Sequence, residues 1–284
     1  MKIIDIHTHG IGGYDTRTVA AGDILKMAEI HGRLGVSEII PTVYPAAIEV
    51  MRENMATIRS AIERQKAGED GRAVIVGINL EGPFLNPVKC GALDAGAFLE
   101  AEEYNLEMLI DGFEDIIRIM TIAPEIKGAE GLIRKISGMG IIVSMGHSDA
   151  TYAEAERGFH SGARGITHLF NAMRGFHHRE PGIAGFGLMN KDVFIEVISD
   201  PFHLHAKTIE LIFKVKNPER IIIVSDSVKE TRTSLKSQGI TESGGRLSGG
   251  CMTVTEVSER LIGMGIDEQV VMSCITENPV RYLH

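Results

Sequence analysis

Eight short apolar runs recur along this 284-residue chain, separated by longer stretches with the spacing of amphipathic helices. That alternation constrains the fold more than any other feature, because it is the pattern of repeated βα units around a parallel sheet. The runs are Ile3–Ile6, Glu38–Val43, Ala73–Leu80, Ile116–Ile122, Ile141–Met145, Gly165–Thr167, Val193–Ile198 and Arg220–Val224. Most are nearly continuous in apolar residues, as strands covered on both faces require. Helical stretches are predicted at Gly22–Leu34, Ile48–Gln65, Ala101–Leu109, Ala129–Met139, Ala150–Ser161 and His205–Lys214, with Thr255–Met264 and Asp267–Thr276 forming a helical C-terminal end. Eight units predict an α/β fold, a single (β/α)8 TIM barrel over residues 1–284. An open doubly wound sheet is the alternative.

In such a barrel the reactive groups come from the C-terminal ends of the strands, and the unusual polar residues fall there. His7 and His9 end the first run, two apart and so on one face, and Gly10-Ile11-Gly12-Gly13 then lets the backbone turn away. Glu81 follows the third run, His147 the fifth, His168 the sixth and Asp226 the eighth. Any one of them alone reads as a satisfied core or loop residue. Together they have the ligand types of a divalent metal site.

Composition narrows the function classes. The 44% hydrophobic and 24% charged content is that of a globular chain with a large core. A formal charge of −9 argues against nucleic acid as the main partner. Cys90, Cys251 and Cys274, odd in number and without a Cys-x-x-Cys pair, point to a reducing compartment. No run is long enough to span a bilayer, and a strand beginning near residue 3 leaves no room for a signal peptide, so the expected location is cytoplasmic. The methionines on helix faces read as gap-filling core residues.

Three longer motifs are more specific: Leu80-Glu81-Gly82-Pro83-Phe84-Leu85-Asn86-Pro87, Gly146-His147-Ser148-Asp149-Ala150-Thr151 and Thr167-His168-Leu169-Phe170-Asn171-Ala172-Met173. With Thr121-Ile122-Ala123-Pro124-Glu125, Arg179-Glu180-Pro181-Gly182 and Ser225-Asp226, in this order, the chain from about Ile3 to Arg281 resembles the N-acetylglucosamine-6-phosphate deacetylases of the amidohydrolase superfamily. The resemblance implies a metal-dependent hydrolase barrel that removes the acetyl group of an amino-sugar phosphate. It implies Glu81, His147 and His168 as metal ligands and Asp226 as the catalytic carboxylate. Retention of His7 and His9 implies one or two divalent ions per subunit, zinc first, with iron or manganese as alternatives. His203, in Ser199-Asp200-Pro201-Phe202-His203, falls at the position of the histidine that contacts substrate and polarises the carbonyl. Asn171, the Ala172 backbone and Arg179 fall at phosphate-binding positions, the arginine reaching in from a neighbouring subunit, which implies a homodimer.

The chain departs from the family twice. Relatives carry a small β-sandwich built from segments on either side of the barrel, whereas this chain runs from the first strand to Asn278-Pro279-Val280-Arg281, so a barrel without a separate sandwich is expected. Relatives also place a histidine two residues past a glycine after the Glu-Gly-Pro segment, where Gly91 is here followed by Ala92 and Leu93. That change bears on the identity of the substrate. Competing readings are a different N-acyl amino sugar or small amide, a cyclic amidase of the dihydroorotase type, and a barrel that binds a sugar phosphate without hydrolysing it. The cyclic amidases bridge two metals with a carboxylated lysine at the end of strand four, whereas Lys127 lies beyond Pro124.

Overall fold

The computed structural model describes residues 1–65, 71–233 and 246–284, and the backbone alone at 240 and 241. Eight strands pair in parallel and in chain order: β1 (Ile4–Thr8), β2 (Glu38–Val43), β3 (Ile78–Leu80), β4 (Ile117–Ile122), β5 (Ile142–Met145), β6 (Ala163–Ile166), β7 (Phe194–Ile198) and β8 (Ile221–Val224). The sheet closes between β8 and β1. Just past β8, Asp226 N–H donates to His7 O at 2.9 Å, His9 N–H donates to Ser227 O at 2.7 Å, and Thr8 bridges to Ser227. The buried Asp5 carboxylate adds to this seam by accepting from the Ser225 backbone and hydroxyl. Sequential parallel order with closure excludes the doubly wound alternative.

Residues alternate between two apolar layers, as strands covered on both faces must. Ile222 and Val224 pack with Ile4, Ile6, Ile40, Ile119, Phe194 and Ile198 inside the barrel. Ile221 and Ile223 instead join the layer beneath the helices. Those helices are α1 (Ala21–Arg33), α2 (Ile48–Arg64), α3 (Glu103–Ile110), α4 (Ala129–Gly138), α5 (Tyr152–His160), α6 (Gly182–Met189), α7 (Ala206–Val215), α8 (Val254–Gly263), α9 (Glu268–Ile275) and α10 (Glu277–Leu283). Tyr282 of α10 is fully buried in the inner cluster, its ring 5.1 Å from that of Phe194.

The structure departs from the expected elements in three places. The run Ala73–Leu80 is broken: Val74–Ile75 pairs with the start of β2, and Ile78–Leu80 pairs with its end and with β4. Gly77 lies at the break with φ 151°, where a Cβ would stand 2.2 Å from Arg118 Cγ. Helix α6 carried no amphipathic signal, because seven of its eight residues are buried. The third departure is α10, whose Pro279 reads as a helix breaker. It occupies the first turn, where no intrahelical N–H partner is lost.

Candidate metal centre and active site

The polar residues nominated at the strand ends converge at the C-terminal mouth. Two groups of three, His7 with His9 and Asp226, and Glu81 with His147 and His168, each offer donor atoms within 4.8 Å of one another, and all six residues are buried. Glu81 joins the groups. Its Oε1 lies 3.0 Å from both His147 Nε2 and His168 Nε2, and its Oε2 lies 3.3 Å from His9 Nε2. Asp226 Oδ1 is 3.4 Å from the Nε2 atoms of both His7 and His9.

Local backbone features aim these groups. On β1 strict alternation would turn His7 away once Ile6 faces the interior. A register shift between Asp5 and Thr8 brings both His7 and His9 to the centre. His147, His168 and Asp226 have φ of 45°, 32° and 46°, left-handed values that cost non-glycine residues about 1–3 kcal/mol each. Three such residues converging on one point mark a site where placement of the side chain outweighs backbone preference.

Three of the four outer ring nitrogens are fixed as well, whereas the buried Nδ1 of His168 has no hydrogen-bond partner among the described residues. His7 Nδ1–H donates to Glu196 Oε2 at 2.9 Å, His9 Nδ1–H to Thr42 O at 3.1 Å, and His147 Nδ1–H to Lys89 O at 2.9 Å. Each bond leaves the Nε2 lone pair facing the centre, the arrangement a metal ligand needs. The Tyr44 ring stacks on His9 with centroids 3.9 Å apart.

Electrostatics follow from this crowding. Burial works against a charged His7, but the Asp226, Glu196 and Glu81 carboxylates prevail and raise its pKa to about 10. His9 and His168 are raised against the same burial by Glu81 and Asp226. Burial would raise Glu81 and Asp226, yet the imidazoles hold both carboxylates below their usual range. The negative potential that keeps protons on these rings would equally attract a divalent cation, which would displace those protons from the Nε2 atoms, and an imidazole and carboxylate donor set suits zinc, iron or manganese. The residues therefore fit a divalent metal.

Above the centre lies a cavity of about 410 Å³ with Leu93, Asn171, Ala172, His203 and Arg246 in its walls. His203 Nδ1 pairs with Asp200 Oδ2 at 3.0 Å, leaving Nε2 free of that bond. Burial would raise the pKa of Asp200, but this imidazole and the N–H groups of His203 and Phe202 hold it well below the usual carboxylate range. Arg179 is exposed and outside the lining of its own chain's cavity. Other motif residues brace the loops. Glu125 accepts from Asn86 Nδ2 at 2.8 Å, Ser148 Oγ at 2.7 Å and Asp149 N–H at 2.6 Å. Glu180 accepts from the N–H groups of Tyr152 and Gly182. Lys127 is exposed beyond β4 and contributes nothing to the centre.

Sequence reasoning passed over Glu196, Tyr44, Asp200 and Arg246. Glu196 had a signal, a carboxylate inside the otherwise apolar run Val193–Ile198, and Asp200 sat within a quoted segment. Tyr44 and Arg246 had none.

Barrel and cluster together define a (β/α)8 barrel of the metal-dependent hydrolase type. No family model matches the chain. It is 34% identical over 226 residues to the N-acetylgalactosamine-6-phosphate deacetylase of Escherichia coli O157:H7, covering 80% of this chain and 59% of that protein. It is 31% identical over 264 residues to the N-acetylglucosamine-6-phosphate deacetylase of Vibrio furnissii, covering 89% and 65%. Among solved structures, N-acetylglucosamine-6-phosphate deacetylase from Thermotoga maritima superposes with a TM-score of 0.88 at 28% identity, covering 99% of this chain and 77% of that one. A mutant of the Mycobacterium smegmatis deacetylase in complex with N-acetyl-D-glucosamine-6-phosphate superposes at 0.90 with 26% identity and the same coverage. The chain belongs to the N-acetylglucosamine-6-phosphate deacetylase family. It spans less than two thirds of the length of these curated relatives. Among the described residues no helix is long and apolar enough to cross a membrane.

Proposed function

We propose that this chain hydrolyses the acetamide of an N-acetylated amino-sugar phosphate, converting N-acetylglucosamine 6-phosphate and water to glucosamine 6-phosphate and acetate. The observation that carries the reading is the Glu81 carboxylate held between His147 and His168 on one oxygen and His9 on the other, with Asp226 facing the same point. Glu81, His147 and His168 hold one divalent ion and His7, His9 and Asp226 are placed for a second, zinc being the first expectation and iron or manganese the alternatives. A cation bound there supplies Lewis-acid activation of water and polarisation of the acetyl carbonyl.

Asp226 takes the proton of the attacking water and returns it to the departing nitrogen, so one carboxylate is base and then acid. His203, oriented by Asp200, donates its Nε2–H to the carbonyl oxygen as negative charge develops there. Asn171 and the Ala172 backbone line the same cavity and fix the substrate. Arg179 serves the phosphate of a second copy in a homodimer; its exposure outside its own cavity supports that role. The expected location is the cytoplasm.

Leu93 in the cavity wall favours a second reading, deacylation of a different N-acyl sugar or amide, and one named relative acts on the galactosamine epimer. The deciding experiment is metal analysis of the purified protein with deacetylation assays on N-acetylglucosamine 6-phosphate, its galactosamine epimer and the unphosphorylated sugars, using Asp226→Asn as control. Turnover restricted to unphosphorylated amides would leave the second reading. A protein that binds no metal and gains no hydrolysis on adding zinc, iron or manganese would remove both.

A further inference from the structure

We infer that Arg246 is a specificity residue, the guanidinium by which this chain's own cavity grips the anionic group of its substrate. The inference rests on the functional reading above and deepens it. Among the described residues lining the cavity, Arg246 is the sole lysine or arginine, and no described carboxylate forms a salt bridge with it. Its Nη1 donates to Gly91 O at 3.0 Å, which spans the mouth from the segment after β8 to the segment after β3. Gly91 sits against the reacting centre: with φ +60°, a Cβ built on it would lie 3.2 Å from Ala172 Cβ and 3.5 Å from His147 Cε1. The segment reaching the cavity there, Gly91-Ala92-Leu93, brings no charged side chain, and Arg246 stands beside it.

The anchoring reaches the other side of the site as well. Leu247–Gly249 is a strand, and the next residue, Gly250, donates its N–H to Asp226 O at 2.7 Å and bridges to Ser227. Arg246 is therefore tied by four residues of chain to the backbone of the proposed base. A guanidinium has five N–H donors in a planar fork, and the bond to Gly91 leaves donors for two phosphate oxygens. An anionic substrate approaching buried Glu81 and Asp226 needs such a cation, and the fork fixes its distance from the acyl group.

The test is steady-state kinetics of Arg246→Gln and Arg246→Lys on N-acetylglucosamine 6-phosphate and on N-acetylglucosamine, with inorganic phosphate as a competitive probe. Arg246→Gln is expected to raise KM for the phosphorylated sugar and Ki for phosphate about ten- to a hundredfold, with kcat within about twofold. Arg246→Lys recovers part of the loss. On the unphosphorylated sugar kcat/KM stays within about twofold of the parent. An equal loss on both sugars would mean that Arg246 only braces the Gly91 segment, which overturns the assignment. So would unchanged KM and Ki in a parent that turns over the phosphorylated sugar, and in that case the functional reading stands. A parent inactive on every phosphorylated sugar fails at the reading itself, before any variant is compared.

Discussion

Asp226 combines a left-handed backbone, a buried carboxylate and contacts to two imidazoles, and each of these costs stability that only a function offsets. Asp226→Asn, which keeps the shape and removes the base, is expected to lower kcat about 10²- to 10⁴-fold while the Glu81, His147 and His168 group still binds metal, as read by turnover and metal content. Glu196 acts one step out, through His7. Glu196→Ala is expected to weaken the cation held by His7, His9 and Asp226 about 10- to 100-fold, with the other group unaffected, in a metal titration that resolves the two. His31 lies outside the centre and is fully buried, with Nε2 3.1 Å from Thr8 Oγ1, and burial lowers its pKa to about 4. The unfolded chain, with a histidine near 6.5, therefore takes up a proton first as pH falls. The stabilisation is complete above about pH 6.5 and is lost by about pH 4, an amount on the order of 3 kcal/mol. Urea unfolding of the parent should lose that much more than His31→Gln across the window, and parallel curves would count against it.

At the scale of elements, legibility followed periodicity. The strands and the amphipathic helices α1, α2, α4, α5 and α7 could be read because each has one face toward the sheet. Helix α6 could not, since its glycines let it pack closely against β6, β7 and the segment before it, leaving almost no exposed face. A Cβ at Gly187 would stand 2.7 Å from Ile166 Cδ1, and one at Gly185 2.3 Å from Pro181 Cβ. The candidate ligands were legible because catalytic groups in barrels cluster at one kind of place, the strand end. The supporting groups Tyr44 and Arg246 were not, because what recruits them is proximity in the closed barrel. Gly165 on β6 is another position fixed by tertiary contact: a Cβ there would lie 2.1 Å from Tyr282 Oη and 3.0 Å from Ser144 Oγ. Gly165→Ala is expected to cost about 1–3 kcal/mol in chemical denaturation, and Gly165→Ala combined with Tyr282→Phe is expected to recover part of it.

Across the whole molecule, the proposed metal ligands come from strands β1, β3, β5, β6 and β8 or the residues that follow them, so cations bound to the two groups would together tie most of the barrel's circumference. Metal at a hundredfold excess over its Kd should stabilise the fold by about 3 kcal/mol, and chelation should lower Tm by roughly 5 °C. A Tm indifferent to chelation would argue against occupancy of the folded state. The seam between β8 and β1 carries a further implication. His7 and His9 are made first and Asp226 more than two hundred residues later, and the bond between Asp226 N–H and His7 O is part of what joins the two edges. During synthesis the nascent chain thus holds two of the three members of this group, His7 and His9, without their carboxylate partner until the eighth barrel strand has emerged. Joining the first barrel strand to the eighth is therefore the step that completes the group.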